Sequence, residues 1–311
     1  MLSPFTHDHD GERLSCVRGG EDFAGDGAAT VVLLHGAGNG SKERLLPLLA
    51  DFADRGCAGL AFDFSGHGES TGTLGALSLR RRFEQAVSVI DATVPAGAPL
   101  ILAGFSMSGQ TVADLARHYG RRAVTLVLCA PAVYAAEAWP LPFEDPAGPA
   151  RPEEPTGVTR PEDPEDPARP EDLAGPARPE DPAGAARPEE LTGIARPEAQ
   201  GAQSRFSRII RTPGSWREAP ALDVLRAYEG RAVLAVPAAD AVVPPEVTRA
   251  VTDALSARAD FSRLELPDAD HLLGLWFRDH AEDRRRLVDL ALTGLRVPVR
   301  PAAGARADGG A

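Results

Sequence analysis

Leu100-Ile101-Leu102-Ala103-Gly104-Phe105-Ser106-Met107-Ser108-Gly109 runs from a continuously apolar, β-rich stretch into small residues gathered around one serine. Residues 107–119 then follow a helical pattern that Gly120 closes. A strand that reverses at once into a helix brings two backbones into contact. Small residues therefore stand near Ser106, at Gly104, Ser108 and Gly109, and the residue at the centre of the turn is pushed toward strained dihedrals. The same geometry lifts the Ser106 hydroxyl clear of the sheet, above a helix N-terminus that favours developing negative charge. Where a second glycine is expected in such a turn, this chain has Ser108.

Working outward, residues 30–34, 58–63, 124–129, 231–236 and 262–266 read like 100–105, as short buried strands. Residues 43–53, 79–92, 245–257 and 277–292 carry helical periodicity. Strands alternating with helices predict an α/β fold, a mostly parallel sheet with helices on both faces. Upstream, residues 5–10 and 12–17 flank Asp10-Gly11, a dipeptide suited to a two-residue hairpin turn. His7 and His9 lie two apart on its first strand and share a face. With no third ligand nearby, an exposed edge strand is preferred to a metal site. Arg80-Arg81-Arg82 reads as a solvated helix face, with recognition of an acidic acyl carrier as the alternative.

The chain has 311 residues, 43% hydrophobic and 25% charged, which is ordinary for a globular protein. No run approaches the length of a membrane span, and the first thirty residues lack a basic start followed by an apolar stretch. Three scattered cysteines, Cys16, Cys57 and Cys129, build neither a disulfide framework nor a zinc site, so a reducing cytoplasm is expected. The net charge of −12 argues against nucleic acid as a partner. That charge is concentrated. Arg-Pro-Glu recurs with a nine-residue period at Arg151, Arg160, Arg169, Arg178, Arg187 and Arg196. Residues 151–204 hold 6 Arg against 13 acidic residues, a net −7, together with 11 of the 28 prolines. Each unit offers at most two large aliphatic residues, and most offer one or none, too little apolar surface to offset the entropy of ordering, and the tract is expected to be disordered. A tolerated insertion is the reading preferred over a protein-binding segment.

A free serine is a poor nucleophile and needs a base that is itself oriented by an acid. His271, just after the last strand, is the candidate base, and Asp240, just beyond the strand 231–236, the candidate acid. His35 and His67 belong to glycine-rich turns, His118 ends a helix and His280 lies within one. Asp268 and Asp270 are too near His271 in sequence to orient it comfortably. Asp63 is expected to hold its glycine-rich loop.

The order Ser106, Asp240, His271, each at the carboxyl end of its own strand, resembles that of the α/β-hydrolase superfamily. Three further segments are similar to its motifs: His35-Gly36-Ala37-Gly38, Asp63-Phe64-Ser65-Gly66-His67-Gly68-Glu69-Ser70, and Asp240-Ala241-Val242-Val243-Pro244. The resemblance covers residues 10–292 apart from the repeats. It implies that the backbone N–H groups of Ala37 and Met107 form an oxyanion hole, and that the repeats interrupt a small cap. The expected organisation is a core in two parts, 1–132 and 226–295, a cap at 133–225 containing the disordered 151–204, and a disordered tail at 296–311. Tyr134, Trp139, Phe143, Phe206 and Trp216 would line an apolar substrate pocket. An aminopeptidase would need a carboxylate there, for which Glu137 and Glu218 are the candidates.

The resemblance thus implies a serine hydrolase, cofactor-independent and without a metal, that cleaves a carboxylic ester or thioester of a small-molecule acyl substrate through an acyl-enzyme. An acyltransferase or cyclase would use the same triad. In another class stands a catalytically silent receptor or scaffold, with the acidic repeat recruiting a protein partner. Deleting residues 151–204 should leave the fold intact and hydrolysis of a small activated ester within a few-fold of the parent. Shortening the connection from about 75 residues to about 20 changes loop entropy by only about 1 kcal/mol. Paired thermal melts and steady-state kinetics check this, and a collapse in melting temperature would show that the repeats pack.

Overall fold

Asp10 and Gly11 both have positive φ, +48° and +79°, the pairing that a two-residue hairpin turn between right-twisted strands requires. They join β1 (Leu2–His9) to β2 (Glu12–Gly19), which pair antiparallel with His9 opposite Glu12. The computed structural model of the protein describes residues 2–20, 29–145 and 203–295. The repeats through residue 202 and the tail from 296 lie outside these, and so do the expectations placed on them.

After the hairpin come β3 (Thr30–Leu34), α1 (Leu46–Asp54), β4 (Ala58–Phe62), α2 (Leu79–Thr93), β5 (Leu100–Phe105), α3 (Ser108–Tyr119) and β6 (Ala123–Cys129). Beyond the undescribed segment follow α4 (Arg205–Arg211), α5 (Pro220–Ala227), β7 (Arg231–Pro237), α6 (Pro245–Leu255), β8 (Asp260–Leu266), α7 (Leu273–Asp279) and α8 (Ala281–Leu292). The strands form one sheet in the order β1-β2-β4-β3-β5-β6-β7-β8. The pairs from β4 through β3 to β8 are parallel, and β2 alone runs against the rest, antiparallel to both β1 and β4.

The continuous apolar runs follow from burial on both faces. Successive side chains point to opposite sides. Thus Val32, Leu34, Leu102, Leu126, Leu128 and Leu234 meet α2, α3, α5 and α6, while Val31, Leu33, Ile101, Ala103, Val127 and Val233 meet α1, α7 and α8.

Four readings of the sequence need correction. The pattern at 277–292 is not one helix: His280 leaves helical geometry (φ −113°, ψ 83°), and α7 and α8 meet there. Arg284 Nη1 satisfies the carbonyls of Phe277 and Arg278 at 2.7 and 3.2 Å, and the His280 ring stacks on Trp276, so side chains stabilise a break that periodicity alone does not reveal. Between β6 and β7 lie two short helices that the sequence reading did not resolve. One of them, α4, starts directly after the stretch assigned to the repeats, whose last residue, Ser204, is its N-cap and accepts a hydrogen bond from the Ser207 N–H. Finally, His7 and His9 sit on an edge strand, but their face turns inward with Phe5, and His7 Nε2 meets Ser88 Oγ of α2 at 2.7 Å.

The loop after β4 is organised by two buried groups. Asp63, fully buried, accepts hydrogen bonds from Lys42 N (2.7 Å), Lys42 Nζ (2.9 Å) and Glu69 N (3.2 Å), and its own carbonyl accepts from Ser70 Oγ. Burial works against the Lys42 charge, but hydrogen bonds to Glu43, Asp63 and Glu69 outweigh it and lift the ammonium pKa above the usual lysine range. The only lysine of the chain is thus spent inside the fold, where it holds a loop. Gly68 (φ +49°) is required here, because a Cβ would stand 2.1 Å from Asp63 Oδ2.

Two buried histidines complete the loop. His67 Nδ1 donates to the Ser65 carbonyl, and the His35 Nε2 atom accepts the Phe64 N–H. Burial, reinforced by the positive charge of Arg82, draws the His67 imidazole down to about 4, and the same two causes hold His35 well below the ordinary histidine value. In the unfolded chain both would take up protons near pH 6.5. Between about pH 6.5 and 4 the unfolded state therefore binds more protons than the folded one, and stability falls as pH is lowered. Thermal melts should show the midpoint dropping from pH 7 to pH 5, with a shallower slope in His67→Gln. A flat or rising midpoint over that range would contradict the assignment of neutral buried imidazoles.

Candidate active site

Ser106 has φ +49°, a left-handed conformation that costs a non-glycine residue of order 1 kcal/mol or more. Four contacts hold it there. Its N–H donates to Cys129 O at 2.9 Å, its carbonyl accepts from Gly109 N (2.8 Å) and Ala132 N (2.9 Å), and its hydroxyl meets His271 Nε2 at 2.9 Å. Close approach is met by Gly104 and Gly109, where a Cβ would stand 2.5 Å from Ser108 O and 2.6 Å from Pro131 Cβ. The tight position on the helix side is thus residue 109, and a side chain at 108 is tolerated.

Asp240 follows β7, and its Oδ1 accepts the N–H groups of Val242 (2.8 Å) and Val243 (2.9 Å) before Pro244 and Pro245 open α6. His271 follows β8 in a loop joined to that of Asp240 by backbone bonds Ala238 N to Leu266 O and Ala239 N to Ala269 O, both 3.0 Å. These bonds set Asp240 Oδ2 at 3.0 Å from His271 Nδ1. Burial works against the Asp240 charge, but His271 and the Val243 and Val242 N–H groups outweigh it and hold the carboxyl below its usual range. An ionised Asp240 accepts the proton on Nδ1, which leaves Nε2 as the acceptor facing the serine hydroxyl. Asp268 is exposed, and Asp270 is occupied with the Leu272 N–H, so neither competes.

The His35 turn closes the other side of the elbow. A Cβ on Gly36 would lie 3.3 Å from both Phe105 O and Ser106 Cβ. Among the described residues, no hydrogen bond takes up the N–H of Ala37 or of Met107. Leu79, Met107, Ala138 and Phe206 form a small apolar cluster with Tyr134, Trp139 and Phe143 packed on it. The structure therefore gathers four of the five aromatic residues proposed to line a pocket. Trp216 is the exception and packs against the core beneath the sheet's α2 and α3 face. Glu137 lines a separate cavity of about 490 Å³ with Arg205, Arg208, Ile209, Thr212 and Ser215, a lining that includes neither Ser106 nor His271.

The arginine run is not a uniform solvated face. Arg80 is exposed and Arg81 pairs with Glu12 at 2.9 Å, but Arg82 is completely buried, its guanidinium 3.7 Å above the Phe64 ring. Burial lowers its pKa to about 9, which leaves it charged at neutral pH. Helical spacing carried the signal: Leu79, Arg82, Ala86, Val89 and Ile90 share the buried face of α2, and reading the three arginines as one block hid it.

A sequence model described as the alpha/beta hydrolase family matches residues 31–287. No curated protein matches the chain in sequence. Among solved structures, Est1E from Butyrivibrio proteoclasticus with ferulic acid bound is similar with a TM-score of 0.57 at 18% identity, over 91% of this chain and 96% of that one. A thioesterase domain from the curacin biosynthetic pathway gives 0.56 at 17%, over 93% and 99%. The Pyrococcus furiosus esterase Pf2001 gives 0.55 at 16%, over 93% and 91%. At such identities the likeness is one of fold. The family match, however, runs from β3 into α8 and takes in Ser106, Asp240 and His271, and the chain belongs to the alpha/beta hydrolase family.

Proposed function

We propose that the protein is a serine hydrolase cleaving a carboxylic ester or thioester through an acyl-enzyme, with Ser106 as nucleophile, His271 as base and Asp240 as its orienting acid. The observation that carries this reading is the unbroken hydrogen-bonded line from Ser106 Oγ through His271 to Asp240, 2.9 and 3.0 Å, with the next residue, Met107, part of an apolar cluster. Ser106 Oγ attacks the acyl carbon while its proton passes to His271 Nε2. The N–H groups of Ala37 and Met107 receive the oxyanion. Collapse of the tetrahedral adduct breaks the bond to the alcohol or thiol, which leaves with the proton from His271. Water then repeats the sequence and releases the acid. Asp240 stays a carboxylate throughout, fixing the imidazole tautomer and balancing its transient charge. The aromatic groups around Met107, and the esterase and thioesterase folds similar to this one, favour an acyl or aromatic acyl substrate.

A fluorophosphonate probe with peptide mapping is the direct test, since only an activated serine reacts. Absence of label on Ser106 in folded protein would favour a silent receptor. Ser106→Ala should stay folded and lose on the order of 10⁴-fold or more in kcat. Asp240→Asn should lose on the order of 10⁴-fold, because the imidazole would then adopt the wrong tautomer. Near-parental turnover in Asp240→Asn combined with loss in Asp268→Asn would reassign the acid.

A further inference from the structure

A buried guanidinium with no counter-ion calls for an explanation. Arg82 is fully buried, and its Nε and Nη1 atoms have no hydrogen-bond partner among the described residues. No described carboxylate acts on its charge, and its neighbours are the Phe64 ring, Tyr134 and the neutral His35 and His67. Taking such a charge out of water costs several kcal/mol, so an unpaired one does not repay itself in stability. Where it lies is informative. Nη2 donates to His35 O at 2.6 Å and to Ser108 Oγ at 2.8 Å, and Ser108 Oγ itself donates to His35 O at 2.6 Å. The three groups form a closed triangle. One corner is two residues before Ala37, and another is the residue after Met107.

We infer that Arg82, through Ser108 and His35, is the positioning residue of the oxyanion hole, locking the turns that carry the Ala37 and Met107 N–H groups and setting a buried positive charge beside them. The inference rests on the hydrolase reading above. It accounts for two departures from the sequence expectations, the serine in place of the second glycine and the arginine on an apolar helix face. A carbonyl bonded by both a guanidinium and a hydroxyl cannot rotate its peptide easily, so the turn 35–37 is preorganised before substrate arrives. The charge gains its complement only when the oxyanion forms, so the stabilisation falls on the transition state and not on the bound ester.

The test uses the full-length protein, a p-nitrophenyl ester, and an alkyl trifluoromethyl ketone, which adds to an active serine as a tetrahedral oxyanion. In Arg82→Met, kcat should fall on the order of 10²-fold, as when one oxyanion donor is removed, with KM within a few-fold. Affinity for the ketone should fall in parallel with kcat/KM. The melting temperature should stay level or rise, since a desolvated charge has been removed. Ser108→Ala, which keeps the guanidinium and removes one corner, should lose about tenfold in kcat at parental stability, and it carries the test if Arg82→Met does not fold. A purely structural brace would lower the melting temperature and leave kcat and ketone affinity of the folded protein within about threefold, which would overturn the inference while the hydrolase reading stands. A parent protein that neither turns over the ester nor labels at Ser106 overturns both.

Discussion

The reversal of the backbone at Ser106 is the constraint from which the rest of the site follows. A non-glycine residue at φ +49° persists only where its surroundings over-determine it. Here its amide is held by the end of β6 and its carbonyl by both the first turn of α3 and Ala132. The sheet order makes this possible: β5 lies between β3 and β6, so the turn after it is flanked by the His35 loop on one side and by residues 130–132 on the other. The glycines at 36, 104 and 109 are small because those neighbours leave no room. With its backbone held on both sides, Ser106 turns its hydroxyl to His271 Nε2.

Two kinds of buried charge surround this turn, and the contrast is instructive. Asp63 and Lys42 are buried as a pair, with backbone N–H groups supplying the remaining hydrogen bonds, which is how a folded interior accommodates ions. Their effect is local order in the loop after β4. Arg82 is buried without such compensation, and its charge adds to the burial that holds the His35 and His67 imidazoles below the ordinary histidine value. The first arrangement stabilises a loop. The second costs stability, and its position between two turns beside Ser106 ties that cost to the chemistry.

Legibility of the sequence followed the range of the forces involved. Buried parallel strands are apolar along their whole length, so Thr30–Leu34 and Leu100–Phe105 were delimited correctly, and Asp10-Gly11 announced its turn because few residues tolerate two positive φ values. The break at His280 was not legible, since it depends on a ring stacking on Trp276 and on Arg284 reaching back to two carbonyls. The inward face of β1 was likewise hidden, because His7 is polar and finds its partner 81 residues away on α2. Polar residues in buried places are those for which composition misleads, and Arg82 is the plainest case.

Local pattern alone determined the α/β alternation, the serine turn and the order in which Ser106, Asp240 and His271 occur, because each is written in residues close together in the chain. Tertiary structure decided which of the aspartates meets His271, through backbone bonds between the loops after β7 and β8 that no local pattern encodes. It also decided that Trp216 stays out of the cluster around Met107 and that Arg82 turns inward to join the turns at His35 and Ser108. The physical reason is common to all three: a side chain's environment is set by what other segments bring to it, and for Asp240 and Arg82 those segments are 26, 31 and 47 residues away in the chain.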